Sequence, residues 1–94
     1  MGGWAYIIAN KRNGTLYIGV TSNLVARISQ HRAGTGSEFA RRYQLKMLVY
    51  AERHDTIEEA IRREKQIKNW PRARKIRMTE TANPEWNDRF ETLA

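Results

Sequence analysis

The sequence predicts a single domain of the α+β class, and three observations support this prediction. Segments 4–9 and 15–20 are rich in the aromatic and β-branched residues that favour strands, and they flank Asn13-Gly14, a strong β-hairpin signal. Segment 45–51 has the same strand-like composition. The remaining stretches carry helical apolar spacing and helix-capping residues. A chain of 94 residues is expected to form one domain, over 1–94, with one small core.

Composition restricts the classes of function. The chain has 17 Lys and Arg residues against 10 Asp and Glu residues, a formal net charge of +7, and such a surface attracts polyanions such as nucleic acid. The absence of cysteine excludes disulfides, thiolate zinc sites and cysteine nucleophiles. No apolar stretch approaches the roughly 20 residues that span a bilayer, and the N-terminus lacks a signal-peptide pattern. We therefore expect a cytoplasmic protein that makes no membrane contact.

The predicted hairpin has two different faces. With a two-residue turn, Ile7 pairs with Val20, and successive residues of each strand alternate between the faces. One face brings Tyr6 and Tyr17 together beside Gly19, whose missing side chain leaves space above the sheet. The opposite face is wholly apolar and is predicted to be core. Its members are Ala5, Ile7, Ala9, Leu16, Ile18 and Val20.

A first helix is predicted to follow the hairpin. Thr21 or Ser22 can cap its N-terminus, and Gly34 marks its end. Arg27 and His31 lie four residues apart, so they are neighbours on one face of this helix. Because His31 also continues the apolar stripe of the helix, it is a candidate for an interior or cleft-facing position.

Two further helices are predicted after the third strand. Residues 35–44 form a loop or a short helix before that strand. Thr56 and Glu59 make a capping box, which predicts a helix over 57–69 that stops before a proline. A shorter helix is predicted over 72–80.

The helix predicted over 57–69 contains one anomalous residue. Its apolar stripe comprises Ile57, Ala60, Ile61 and Ile67. Glu64 lies inside that stripe, and a carboxylate on an inward face is costly unless a cation, a metal or hydrogen-bond donors meet it. Two interpretations stay open: Glu64 reaches outwards to pair with a nearby arginine, or it binds a metal ion.

Positive charge is concentrated late in the chain. Residues 62–77 carry eight Lys and Arg residues against a single acid, whereas 78–94 is acidic. The basic run suits the phosphate backbone of nucleic acid, which is bound mainly through Lys and Arg. The residues predicted to contact nucleic acid are Arg27, Arg62, Arg63, Lys65, Lys68, Arg72 and Arg74.

The candidate site residues suit hydrolysis of a phosphodiester. A single carboxylate such as Glu64 can hold Mg²⁺, which keeps most of its waters, and Arg27 can neutralise phosphate oxygens. Tyr17 or His31 can take a proton from the attacking water, although a tyrosine base needs nearby positive charge or metal to lower its pKa. Each residue also has a purely structural explanation, because strand tyrosines are often half-buried and helix ends favour histidine.

The ordered set of these residues resembles the GIY-YIG nuclease superfamily. Tyr17-Ile18-Gly19 matches the second of the two elements that name it, whereas Trp4-Ala5-Tyr6 retains only the tyrosine of the first. Arg27, His31 and Glu64 stand in the order in which this family carries its arginine, histidine and metal-binding glutamate. The likeness is greatest to small stand-alone bacterial members related to the N-terminal nuclease domain of the UvrC excinuclease subunit. Asn83 resembles a late asparagine that many members carry.

The resemblance implies a fold and a mechanism. The fold would be a three-stranded antiparallel sheet flanked by helices. The activity would be hydrolysis of DNA phosphodiesters with Mg²⁺ or Mn²⁺, with Glu64 as the only protein ligand of the metal. In that picture Tyr17 orients or deprotonates the water, and Arg27 stabilises charge on the phosphate. Tyr6 and His31 hydrogen-bond around the water and phosphate.

Other functions remain open from the sequence. The chain could be a basic nucleic-acid-binding module without catalysis, or an adaptor that contacts a partner through Trp70 and Trp86. The nucleic acid could be RNA rather than DNA, and a protein partner could supply targeting. A role in DNA repair or processing is an expectation from the resemblance, and the sequence does not indicate an oligomeric state.

Overall fold

The computed structural model describes residues 2–93, which form three strands, four α-helices and one short 3-10 helix. The strands are β1 (Gly3–Ala9), β2 (Leu16–Thr21) and β3 (Met47–His54). The helices are α1 (Leu24–Ala33), α2 (Glu38–Arg42), α3 (Ile57–Asn69) and α4 (Arg72–Ala82). The 3-10 helix, Phe90–Leu93, was not predicted from the sequence.

The three strands form one antiparallel sheet, which confirms the predicted fold class. Its order is β2-β1-β3, so the first strand lies in the centre. Apolar side chains cover both faces of the sheet, so the central strand β1 is buried on both sides. Ala5 and Ile7 belong to a cluster with Ile67 of α3, and Ile8 belongs to a second cluster with Ile28 of α1. The single small core expected from the sequence is therefore two apolar layers separated by the sheet.

The register of the hairpin differs from the prediction by two residues. Ile7 pairs with Ile18 rather than with Val20, because the connection is longer than a two-residue turn. Gly14 N–H donates to the Lys11 carbonyl, and the Asn10 side chain accepts from the Thr15 N–H at 3.0 Å, so the loop closes on itself. A shift of two keeps every side chain on its predicted face, since faces alternate with a period of two.

Two helix ends follow the predicted capping chemistry, and one does not. Thr56 accepts from the Glu59 N–H at 3.2 Å, and Gly34 ends α1 with a φ of 82°, as predicted. The predicted cap of α1 at Thr21 or Ser22 is wrong. Asn23 caps this helix instead, and its side chain accepts from the Ala26 N–H at 3.1 Å.

Three other boundaries and one stripe member differ from the predictions. The third strand begins and ends later than 45–51, and the helix predicted over 72–80 extends to Ala82. Segment 35–44 contains the short helix α2. In α3, Ala60 and Ile67 are fully buried and Glu64 is nearly so, whereas Ile61 is 37% exposed. The carboxylate is therefore more central to the inward face than the sequence indicated.

The C-terminal segment covers part of β3, which is an edge strand of the sheet. The Arg89 N–H donates to the Leu48 carbonyl at 2.7 Å, and Asp88 accepts from the Leu48 N–H at 3.1 Å. Asp88 also pairs with Arg32 of α1 at 2.6 Å. Free strand edges invite pairing with other chains, so this segment protects the sheet. Across residues 2–93, no helix has the length and apolar character needed to cross a membrane.

Trp86 lies inside this C-terminal region. It is 2% exposed, and its indole N–H donates to Glu80 at 2.9 Å. The hypothesis that Trp86 presents a surface for a protein partner is therefore wrong, because its ring is packed into the apolar cluster of α3 and β1.

Candidate active site

The centre of the candidate site is a hydrogen bond between Tyr6 of β1 and His31 of α1. The Tyr6 hydroxyl and the His31 Nε2 are 2.8 Å apart, and both residues are 1% exposed. Gly19, which lies opposite Tyr6 on β2, makes room for this ring. A Cβ atom on Gly19 would come within 2.3 Å of the tyrosine hydroxyl. The space that the sequence predicted above this glycine is therefore occupied by Tyr6 itself.

His31 is buried with one of its ring nitrogens unpaired. Among the residues described, its Nδ1 atom has no hydrogen-bond partner, and Gly36 closes that side of the ring. Burial, and to a smaller extent the positive charge of Arg27, lower the pKa of His31 from 6.5 to about 4. The imidazole is therefore neutral at pH 7, because protonating it would place a positive charge in a buried position.

Two charged residues act on the Tyr6 hydroxyl. Burial raises the pKa of Tyr6 to about 12, and the nearby guanidinium of Arg27 opposes this rise. The proximity of Tyr17 and Glu64 raises the pKa of Tyr6 as well. Side chains from β1, β2, α1 and α3 thus lie close enough to affect one hydroxyl group, although they come from distant parts of the sequence. We refer to Tyr6, Tyr17, Arg27, His31 and Glu64 as the tyrosine cluster.

Tyr17 is the more accessible of the two tyrosines. It is half-buried, and its ring packs edge-on against His31 with centroids 5.5 Å apart. His31 also contacts Tyr6, with centroids 5.8 Å apart. The histidine therefore holds both tyrosine rings, and Tyr17 carries the hydroxyl nearer to solvent.

Arg27 lies at the boundary between the buried pair and solvent. Its side chain is partly exposed, and its guanidinium donates to Gln30 at 3.1 Å on the helix surface. A guanidinium with further donors offers a bidentate contact to a phosphate. The position of Arg27, beside the Tyr6 hydroxyl and open to solvent, suits that role.

Glu64 is the acid of the cluster, and its residue type fits a divalent cation. It is 9% exposed, and its Oε2 atom pairs with Lys68 at 2.9 Å on the next turn of α3. No group of three His, Cys, Asp or Glu residues comes together in residues 2–93, so these residue types would give a metal here at most two ligands. Mg²⁺ accepts such a site, because it keeps several waters and takes further oxygens from a phosphate.

The other cations predicted to contact nucleic acid fall into two groups. Arg62 and Lys65 are exposed on α3. The remainder are engaged within the protein. Arg63 donates to Glu52 at 2.7 Å, and Lys68 pairs with Glu64. Arg72 donates to the Asn13 and Gly14 carbonyls at 2.7 and 2.6 Å. Arg74 stacks on Trp70.

A second polar cluster was missed in the sequence. On β3, Glu52 accepts from the Tyr50 hydroxyl, contacts His54 Nε2 at 2.8 Å, and accepts from Arg63. We call Tyr50, Glu52, His54 and Arg63 the Glu52 network. These hydrogen bonds and the charge of Arg63 lower the pKa of Glu52, although burial opposes them. Tyr50, Glu52 and His54 occupy alternate positions of one strand, so strand periodicity could have predicted that they share a face.

Asn83 has a structural environment. Its side chain donates to the carbonyls of Val49 and Asn87 at 3.0 and 2.9 Å, and it accepts from the Asn87 N–H at 3.1 Å. These bonds join the C-terminal segment to β3 and leave no free polar atom for the tyrosine cluster. The sequence resemblance of Asn83 therefore corresponds to a residue that holds the fold together.

Known proteins resemble this chain over most of its length. The GIY-YIG catalytic domain profile matches residues 2–77, which contain the whole tyrosine cluster. A UPF0213 protein from Staphylococcus haemolyticus is 40% identical over 77 residues, covering 82% of this chain and 93% of that protein. A UPF0213 protein from Natronomonas pharaonis is 41% identical over 64 residues, covering 68% and 75%. The solution NMR structure of a UPF0213 protein from Bacillus halodurans matches with a TM-score of 0.60 at 27% identity, covering 94% and 93%.

Proposed function

The chain belongs to the GIY-YIG family, and from that premise we propose that it is a divalent-metal-dependent DNA endonuclease that acts in DNA repair or processing. The family implies nuclease activity and a nucleic-acid substrate. The observation that carries the proposal is the buried Tyr6–His31 hydrogen bond at 2.8 Å, on whose hydroxyl Arg27 and Glu64 both act.

Tyr6 and His31 have a positioning role in this proposal. A tyrosine with a pKa of about 12 keeps its proton at neutral pH, and a histidine with a pKa of about 4 stays uncharged. When the Tyr6 hydroxyl donates to Nε2, its oxygen is left as an acceptor for a water or for Arg27. Because both residues are buried, they position the side chains that touch the substrate rather than touching it themselves.

Tyr17 and Arg27 are the residues in position to touch the substrate. Tyr17 orients the attacking water through its half-buried hydroxyl and accepts its proton. Arg27 donates to the non-bridging phosphate oxygens and stabilises the charge that develops on them. Both roles use side chains that are partly open to solvent.

Glu64 would hold the metal ion. A bound Mg²⁺ or Mn²⁺ supplies Lewis-acid stabilisation of the phosphate and its leaving oxygen. Lys68 exchanges its contact with Glu64 for a phosphate oxygen, because its long side chain is half exposed and free to turn. The same exchange would place one more cation on the substrate backbone.

A cleavage assay tests the proposal. Purified protein is incubated with labelled single-stranded, duplex, nicked, flapped and branched DNA, and with RNA of the same sequences, in Mg²⁺, Mn²⁺ or EDTA. We expect cleavage of at least one DNA that requires the metal and that Glu64→Gln lacks. Binding without cleavage of any substrate would contradict the proposal and favour a nucleic-acid-binding module instead.

A further inference from the structure

A second cationic site lies away from the tyrosine cluster, between β3, the end of α3 and α4. It is a cavity of about 380 Å³ whose lining includes Tyr50, Arg63, Trp70, Arg74, Arg77 and Met78. Pockets for small ligands and cofactors span roughly 300–1,000 Å³, so this volume accommodates a nucleotide unit. We call it the Trp70 pocket.

Two guanidinium groups are held against the same indole ring in this pocket. The Arg74 Cζ atom is 3.9 Å from the centroid of Trp70, and the Arg63 Cζ atom is 5.0 Å away. Cation–π contacts and stacking fix the orientation of a guanidinium and therefore reduce the entropy that it loses on binding an anion. With the indole already stacked, the pocket offers donors for an oxyanion rather than a free ring face for a base.

The positive charges of the pocket are not fully compensated. Glu52 pairs with Arg63 at 2.7 Å, whereas Arg74 and Arg77 have no carboxylate partner anywhere in residues 2–93. Arg74 and Arg77 lie three residues apart on α4, so they are neighbours on one face of the helix. Two adjacent guanidinium groups without an anion repel each other, and a phosphate between them would remove that repulsion.

The helix that carries these arginines is anchored to the sheet. Arg72, at the first position of α4, donates to two carbonyl groups of the β1–β2 loop, those of Asn13 and Gly14. Arg63 is anchored separately by the Glu52 network. Arg63, Arg74 and the helix that carries Arg77 are thus held in place before any ligand arrives, which favours an anion site of useful affinity.

We propose that the Trp70 pocket binds a backbone phosphate of the nucleic-acid substrate, at a nucleotide other than the one that is cleaved. This inference rests on the proposed function for the identity of the strand. Arg63 and Glu64 are consecutive on α3, and one of them turns to the pocket while the other belongs to the tyrosine cluster. Successive residues of a helix point about 100° apart, so one strand that follows α3 can reach both sites.

The test compares the variant Arg74→Ala/Arg77→Ala with the control variant Lys11→Ala/Arg12→Ala. The control removes the same charge from exposed positions in the β1–β2 loop. Both variants are made in a Glu64→Gln background, so that DNA is bound without cleavage. Affinity for the oligonucleotide that is cleaved best, or for a mixed-sequence single strand if none is cleaved, is measured from 50 to 300 mM salt.

We expect the pocket variant to bind about tenfold more weakly at 0.1 M salt and its log–log salt slope to fall by about one to two, because each phosphate contact contributes about 0.9 on duplex DNA and about 0.7 on a single strand. The control should change both quantities less. In NMR spectra, the indole N–H signal of Trp70 should shift when the oligonucleotide is added, and this shift should be lost in Arg77→Ala, which leaves the Arg74–Trp70 contact in place. Equal salt slopes for the two variants, or an unmoved Trp70 signal, would overturn the inference.

Two further arms separate the possible sources of the phosphate and the two proposals. Inorganic phosphate and a mononucleotide are titrated alone; binding of either as tight as that of the oligonucleotide would overturn the assignment to a nucleic-acid strand. If the wild-type protein cleaves DNA but the pocket variant retains full affinity, the pocket inference fails and the nuclease stands. If no substrate is cleaved but the slope and Trp70 signal change as expected, the nuclease fails and the pocket stands.

Discussion

The tyrosine cluster and the Glu52 network contain the same four residue types, but their hydrogen bonding differs. In the Glu52 network the carboxylate meets the tyrosine, the histidine and the arginine directly. In the tyrosine cluster, the tyrosine meets the histidine, the glutamate pairs with an exposed lysine, and the arginine hydrogen-bonds to an exposed glutamine. His31 has a buried nitrogen with no partner in the described part of the chain.

This difference separates a stabilising cluster from one suited to chemistry. A polar group whose partners are all within the protein adds to stability and has little capacity left for a ligand. A buried polar group without a partner costs stability, and such a cost is tolerated where function requires it. Residue type alone therefore does not distinguish the two clusters; the pairing of their carboxylates does.

The largest expected contrast is between the two glutamates. Glu64→Gln should lower the cleavage rate by at least about 1,000-fold, because a neutral amide is a far weaker metal ligand and metal catalysis is worth several kcal/mol. Glu52→Gln should leave the rate within about threefold. Single-turnover cleavage in Mg²⁺ measures both.

Unfolding of the same two variants should show the opposite order. Glu52→Gln removes charged hydrogen bonds to Arg63 and should lower the free energy of unfolding by about 1–3 kcal/mol. Glu64→Gln should change it by less than about 1 kcal/mol, because its ion pair with Lys68 is on a half-exposed side chain. Urea denaturation followed by circular dichroism measures both values. Equal destabilisation would show that the two carboxylates contribute alike to stability and would contradict the contrast.

A second contrast uses one tyrosine hydroxyl from each cluster, those of Tyr6 and Tyr50. Tyr6→Phe should reduce the cleavage rate roughly a hundredfold, since it removes a positioned hydrogen-bonding group from the site. Tyr50→Phe removes a hydroxyl that is bound only to Glu52 and should leave the rate of the chemical step, measured with saturating enzyme, nearly unchanged. A Tyr6→Phe enzyme with normal rates at saturating metal would show that the Tyr6–His31 hydrogen bond serves the fold alone.

The last expected effect is a dependence of stability on pH that comes from His31. The unfolded chain binds a proton at this residue near pH 6.5, but the folded chain does so only near pH 4, so between these values the unfolded state binds more protons. The free energy of unfolding should therefore fall by about 2–3 kcal/mol as the pH drops from 6.5 to 4.

Variants of the two histidines assign this pH dependence. His31→Phe should lose most of it, whereas His54→Gln should retain it, with stability measured by urea denaturation at half-unit pH steps. Glu52 affects stability at lower pH. Its pKa is depressed in the folded protein, so its stabilisation is lost only as the pH falls below the ordinary pKa of a glutamate. A His31→Phe protein with the wild-type pH profile would contradict the assignment of the buried neutral histidine.

Much of the fold could be predicted because local signals agreed with it. The capping box at Thr56, the terminal Gly34 and the alternation of the hairpin each depend on residues close together in sequence. The hairpin register could not be predicted, because it depends on whether the Asn10 side chain replaces a backbone turn partner. Strand β3 extends beyond its apolar segment because pairing with β1 continues through polar residues.

The sequence by itself determined the membership of the candidate site. Glu64 within an apolar stripe, two tyrosines on one face of a hairpin, and Arg27 four residues from His31 follow from helical and strand periodicity alone. Only the tertiary structure decided which polar groups are paired. The Glu52 network, the burial of Trp86 and the stacking of Arg74 on Trp70 each join residues from different elements. Local periodicity fixes the face on which a side chain lies, whereas its partners depend on how the elements pack, and packing is set by the whole chain.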